Sequence, residues 1–290
     1  MTYLVDSLRR GRIHRPQGVL ALPGGKSLNV ARALAVLGAR VEAITPLGGH
    51  TGRRVRAALA PSGVRLTAVP VRAETRTCVS IVDEQSGQTT EVYEESTPVE
   101  PDEWSALAEA IRATSAGWLV VSGSVPAAVA PMLGEILAER AAAGVNVAID
   151  THGEPLRTLL RIFTPAAVKV NRAEAAELVG DGRTPQLCAR LRERGVRTAI
   201  VTDGARGSVL GTTEGMALVT GPGGGHYTVG AGDCYLAGFL AALVTGSRPV
   251  EAAIAATATA VANTYVPGAA RFEPADVAAA VRRVTVEPLD

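Results

Sequence analysis

Cysteine is scarce. Cys78, Cys188 and Cys234 are the only three in 290 residues, and an odd, scattered set without a CxxC pair excludes a disulfide framework and points to a reducing compartment. Charge excess of either sign is missing too. Lys+Arg number 29 against Asp+Glu 28, a net charge of +1, so no global field draws in nucleic acid or an anionic membrane surface, and any bound anion must be held by a local site. Long apolar runs are also absent: the longest, 236–244, is too short to span a bilayer, and residues 1–15 carry charge throughout instead of a signal-peptide core. The four histidines, His14, His50, His152 and His226, form no metal-ligand spacing. These absences predict a cytoplasmic chain with no nucleic-acid or membrane partner.

What is present is a strong α/β pattern. At 47% hydrophobic content the chain can bury a full core as a single domain spanning 1–290. Strand-like runs at 41–47, 118–122, 145–150, 167–170 and 198–202 alternate with helical stretches at 27–37, 127–143 and 185–194. That alternation predicts βαβ units on a parallel sheet, whose ligands collect at the carboxyl ends of the strands. One stretch departs from it. Residues 75–83 and 89–95 read as two strands joined by Glu84-Gln85-Ser86-Gly87, a β-hairpin lid with which 18–22 is placed to pair. From 231 onward the chain is helical, over 231–244, 250–265 and 274–284, with small Ala and Thr faces that permit close packing.

Two segments carry chemistry. Thr228-Val229-Gly230-Ala231-Gly232-Asp233 opens an apolar helix, so its glycines let the backbone approach a ligand while the free N–H groups at the helix start form an anion site. Asp233 then lies in the first turn beside that site, where a carboxylate can take the proton from an attacking hydroxyl; the plain alternative is an acid that caps a helix. The second segment, Pro23-Gly24-Gly25-Lys26-Ser27-Leu28-Asn29, presents Lys26 and, one turn on, Asn29. It is not a P-loop: the glycine required five positions before Gly25 is Leu20, and no apolar strand runs directly into the turn.

Gly24-Gly25-Lys26-x-x-Asn29-Val30-Ala31 near the start, with Thr228-x-Gly230-Ala231-Gly232-Asp233 near the end, resembles the two signatures of the ribokinase-like carbohydrate kinases of the phosphofructokinase B type. Glu74-Thr75-Arg76-Thr77, Ser122-Gly123-Ser124-Val125-Pro126, Asp150-Thr151-His152-Gly153-Glu154, Lys169-Val170-Asn171-Arg172-x-Glu174 and Val201-Thr202-Asp203-Gly204-Ala205-Arg206-Gly207 match further family blocks in the right order. The likeness covers nearly the whole chain and is greatest to the 1-phosphofructokinase and tagatose-6-phosphate kinase branch.

The resemblance implies a three-layer α/β/α sandwich with a mostly parallel central sheet and a small β lid, built here from segments at about 11–23 and 74–97. It implies ATP with Mg2+ as phosphoryl donor, and a ketohexose phosphate as acceptor: fructose 1-phosphate first, then tagatose 6-phosphate or fructose 6-phosphate. It makes Asp233 the catalytic base and Gly230, Ala231 and Gly232 the anion hole. Asn171 and Glu174 would face magnesium and the nucleotide phosphates, although the same pair reads equally as a helix cap. Thr202, Gly204 and Gly207 would line the nucleotide cleft, and Gly25, Lys26, Asn29 and Arg76 would bind the sugar phosphate. An ordinary strand arginine paired with Glu74 or Glu91 is the alternative for Arg76. The lid is a candidate surface for a homodimer. A sugar-phosphate-binding protein without catalysis, or a nucleoside or other small-molecule kinase of this fold, are the rival readings.

Four departures accompany the likeness. Family members begin with a strand ending in Asn-Pro-x-x-Asp, whose aspartate binds sugar hydroxyls, and Thr2-Tyr3-Leu4-Val5-Asp6 resembles the stretch that follows it. The resemblance therefore implies that this strand is missing here. Ser27 replaces a usual glycine, Tyr227 stands where the family has Asn or Asp, and Val170 where it has proline.

Overall fold

The computed structural model describes residues 1–95 and 98–289; positions 96 and 97, at the end of the expected second lid segment, lie outside the described residues. The chain opens with β1 (Thr2–Val5) and β2 (Gly18–Leu20), then α1 (Lys26–Val36), β3 (Glu42–Leu47), α2 (Gly49–Leu59) and β4 (Arg65–Pro70). β5 (Cys78–Asp83) and β6 (Thr89–Tyr93) follow as a hairpin. Helices and strands then follow one another: α3 (Pro101–Ala113), β7 (Trp118–Ser122), α4 (Ala130–Ala142), β8 (Asn146–Asp150), α5 (Gly153–Ile162), β9 (Ala167–Asn171), the consecutive helices α6 (Arg172–Val179) and α7 (Thr184–Glu193), and β10 (Ala199–Thr202). The chain closes with β11 (Ser208–Thr212), β12 (Gly215–Thr220), α8 (Ala231–Val244), α9 (Pro249–Asn263), α10 (Pro274–Val281) and β13 (Thr285–Leu289).

The main sheet runs β13-β12-β11-β10-β9-β8-β7. It is parallel from β7 to β10, as the βαβ alternation predicts, and antiparallel from β10 to β13. Its strands alternate between two cores. Val147, Ile149, Val168, Val170, Ala199 and Val201 join α4 to α7, whereas Ala148, Ala167 and Ile200 join α1, α8, α9 and α10 on the opposite face. Side chains that alternate between two buried faces give near-continuous apolar strands, which is why these runs stand out in the sequence. The result is a three-layer α/β/α sandwich.

Helix ends follow local chemistry. Pro101, Pro249 and Pro274 each occupy a first helical position, where the missing N–H costs nothing, and Glu103 and Glu251 return to the backbone N–H of Glu100 and Arg248. The small faces of α8 and α9 let the two helices meet closely: a side chain on Gly238 would collide with Thr259 and the Ala255 carbonyl.

β3 and β4 form a separate parallel pair. Among the described residues, β3 and β7 each have a strand on one side only, and both pack on α1. Apart from the main sheet, β2-β1-β5-β6 make a four-stranded lid sheet. β1 lies outside the segments expected for the lid, yet it occupies the middle of the sheet, antiparallel to β2 and parallel to β5, so Gly18–Leu20 reaches the hairpin only through β1. Among the described residues no helix is long and apolar enough to cross a membrane.

Candidate active site

The site is assembled from both ends of the chain. Gly25 caps α1 at φ 97°, a left-handed conformation that suits glycine, and so presents Lys26 and Asn29 on the first turn. Gly230 caps α8 at φ 78° and leaves no room for a side chain, because a Cβ there would collide with Ala269. Asp233 is the third residue of α8 and only 6% exposed. Asn29 Nδ2 donates to Asp233 Oδ2 at 2.8 Å, joining the two glycine-led helix starts across 204 positions of sequence.

Two residues in the strands complete the cluster. Asp150 ends β8 fully buried, and its oxygens accept from Lys169 Nζ at 2.9 Å and Lys26 Nζ at 3.3 Å. Lys169, on β9, carries its ammonium over the start of α8: a Cβ on Gly232 would lie 2.9 Å from Lys169 Nζ. Lys26 also lies 3.5 Å from Glu174 Oε1. Two cations and three carboxylates thus converge where β8 and β9 end and α1, α6 and α8 begin, the end of a parallel sheet at which ligands bind.

Burial pushes Asp233 up to about 6, against the opposing hydrogen bond from Asn29; Asp150 adds to the rise, while Lys169 and Lys26 oppose it. A carboxylate poised near neutral pH suits proton transfer. For Lys26 burial alone would lower the pKa, but the carboxylates of Asp150, Glu174 and Asp233 outweigh it and hold the ammonium above its ordinary value.

Asn171 and Glu174 make the capping box at the start of α6: Asn171 Oδ1 accepts from Glu174 N at 2.9 Å, and Glu174 Oε2 accepts from Asn171 N at 2.8 Å. The cap leaves Glu174 Oε1 toward Lys26 and the second lone pair of Asn171 Oδ1 unclaimed, oxygen donors of the kind a hard cation takes. Thr202 ends β10 beside β9, its hydroxyl 3.4 Å from the Val170 carbonyl. Beyond it, Gly204 at φ 57° and Gly207 at φ 94° shape the turn that Asp203 pins through Arg206 and Thr184.

Arg76 is on a different segment of the chain from the residues of this cluster. It is exposed, two residues before β5 begins at Cys78, so it belongs to the loop that leads into the lid and not to a strand. Both oxygens of the neighbouring Glu74 accept from the backbone N–H groups of His50 and Thr51 at the start of α2. Sequence reasoning assigns no role to Asp150 and Lys169, each the one charged residue of its strand. Their signal was a lone carboxylate and a lone ammonium in otherwise apolar strands.

The lid reaches the site from above. Tyr227, just before the glycine-led turn of α8, donates to Glu84 Oε1 at 3.1 Å, and Gly87 of the same hairpin turn lies against His226.

A buried carboxylate at a glycine-led helix start, within an α/β/α sandwich carrying a β lid, defines a ribokinase-like kinase. The pfkB family carbohydrate kinase model matches residues 2–276, and the chain belongs to that family. Among its relatives are two proteins named 1-phosphofructokinase. The one from Borreliella burgdorferi is 31% identical over 77% of this chain and 75% of its own length. The one from Xanthomonas campestris is 29% identical over 98% of this chain and 94% of its own. A possible 1-phosphofructokinase from Thermotoga maritima has the same fold, with a TM-score of 0.92 at 22% identity over 100% of this chain and 96% of that one.

Proposed function

We propose that this carbohydrate kinase transfers the γ-phosphoryl group of ATP to a hydroxyl of a ketohexose phosphate, with fructose 1-phosphate as the first candidate and tagatose 6-phosphate and fructose 6-phosphate next. The observation that carries this reading is Asp233, buried at the glycine-led start of α8 with Lys169 over the same turn. As the hydroxyl oxygen bonds to the γ-phosphorus, its proton passes to Asp233, the bond to the β-phosphate oxygen breaks, and ADP leaves. The Gly230, Ala231 and Gly232 backbone and the Lys169 ammonium stabilise the charge on the moving group. Magnesium bound with the nucleotide neutralises phosphate charge; Glu174 and Asn171 would hold it, directly or through water.

The cations expected for the sugar's own phosphate divide by position. Lys26 lies among Asp150, Glu174 and Asp233, so its removal should weaken both substrates. Arg76, on the way into the lid, is the residue for the phosphate carried by the sugar. Supporting a kinase over a binding protein without catalysis, Asp233, Asn29, Asn171 and Glu174 are all present and mutually placed.

The lid also suggests a homodimer. Tyr3, Val19, Val79, Ile81 and Val92 share its outer face by register, with Val19 and Val92 exposed, an apolar sheet face that a second copy would cover.

The test is ADP release measured with fructose 1-phosphate, fructose 6-phosphate, tagatose 6-phosphate, ribose and adenosine. Fastest turnover on a ketohexose phosphate supports the proposal. Preference for ribose or adenosine, or ADP release indifferent to the acceptor, refutes it.

A further inference from the structure

Behind the start of α8 lies a buried cation that the reaction does not touch. Arg32, on α1 one turn past Asn29, is 8% exposed and has no carboxylate within ion-pair distance among the described residues. Its guanidinium instead donates to three backbone carbonyls: Pro23 at 3.2 Å, Ala269 at 3.1 Å and Ala270 at 3.4 Å. A guanidinium removed from water without a counter-ion is costly, and it is kept only where its donors are satisfied geometrically.

The carbonyls it gathers are not arbitrary. Pro23 begins the turn that presents Gly25, Lys26 and Asn29. Ala269 and Ala270 belong to the turn after α9, and Ala269 packs directly on Gly230. Ala270 is the one non-glycine residue at positive φ among those described, 53°, a conformation that its surroundings must hold in place. Asn263, fully buried at the end of α9, does part of that: its Oδ1 accepts from Ala270 N at 2.8 Å while its Nδ2 donates to the Val229 carbonyl at 2.9 Å. Gly268, in the same turn, lies against Leu20 and Leu22 at the foot of the lid. One turn thus touches the sugar loop, the lid stem and the anion hole together.

We propose that Arg32, with Asn263, is a positioning residue: the pair locks the 268–271 turn as a wedge behind Gly230, so that the 230–232 backbone holds the shape that receives the moving phosphoryl group. Arg32 acts through this turn and touches no reacting atom. The proposal rests on the kinase reading for its kinetic consequence, but not for its structural one.

The experiment compares Arg32→Ala, Arg32→Lys and Asn263→Ala with the wild-type protein by amide hydrogen exchange and by steady-state kinetics on the best acceptor. Arg32→Ala should speed exchange at 228–232 and 268–271 while α4 to α7 stay protected. Its kcat should fall about 10–100-fold, with both KM values held within about threefold, as expected when reacting groups are misplaced rather than lost. Free guanidinium at millimolar concentration should refill the three-carbonyl site and restore part of kcat. Arg32→Lys should be intermediate, since one ammonium cannot span three carbonyls in a plane. Wild-type exchange and turnover in Arg32→Ala, or in Arg32→Lys should the alanine variant not fold, would overturn the proposal. So would faster exchange across the whole chain without guanidinium rescue, the mark of a purely structural role. If the wild-type protein turns over no sugar phosphate, the kinase reading fails, and the exchange pattern alone decides for or against the wedge.

Discussion

At the residue scale the account turns on the charge state of Asp233. With its pKa pushed up to about 6, the free enzyme should lose kcat/KM toward acid with an apparent pKa near 6, well above an ordinary carboxylate. A limb near 4, or none, would place the base elsewhere. The same burial has an opposite effect on stability. Folding raises this pKa from 3.8, so the contribution is fully present below about 4 and is lost as pH rises through about 6. Asp233→Asn should therefore melt higher than wild type near neutral pH, by about 2–6 °C, with the difference vanishing near pH 4. Calorimetry at the two pH values checks both the sign and the convergence. Arg76→Ala should weaken phosphorylated sugars about 10–100-fold while leaving free sugars nearly unchanged, and equal losses for both would remove Arg76 from the phosphate. Asp233 and Asn29 were legible because glycines announce each helix start. Asp150, Lys169 and Arg32 were not: each is a single charged residue in an apolar run, and its partners lie outside its own element, from 9 to 238 positions away, with no local signal for the pairing.

At the scale of elements, a side-chain hydrogen bond from Tyr227 to Glu84 joins the segment leading into α8 to the turn of the lid hairpin. The resemblance implies Asn or Asp at position 227, and the longer tyrosine with its terminal hydroxyl is what reaches Glu84 here. Tyr227→Phe should raise KM for the sugar phosphate about two- to tenfold, the effect of one lost hydrogen bond, and leave KM for ATP in place. An unchanged sugar KM would mean that the lid closes without this contact. The parallel strands β7 to β10, α1, α7, α8 and the hairpin could be read from periodicity and turn residues, whereas β4 could not. β1 could not be placed in the lid, because its partner β5 is more than 70 positions away and nothing local specifies the pairing. The antiparallel strands β11 to β13 likewise take their place from one another and not from a βαβ rhythm.

At the scale of the whole molecule, the apolar outer face of the lid predicts a dimer. Val92→Asp should convert it to a monomer in sedimentation and lower turnover by loosening the lid, whereas a wild-type monomer would show that this face stays in water. Turnover itself should depend on Asp233 taking the hydroxyl proton as the phosphoryl group leaves ATP. The most direct measurement is single-turnover formation of the bisphosphate from fructose 1-phosphate by wild type and Asp233→Asn, with ATP binding followed in parallel. If Asp233 is the base, the chemical step should fall about 10²–10⁴-fold at nearly unchanged ATP affinity. A variant that keeps more than about a tenth of the wild-type rate would contradict it.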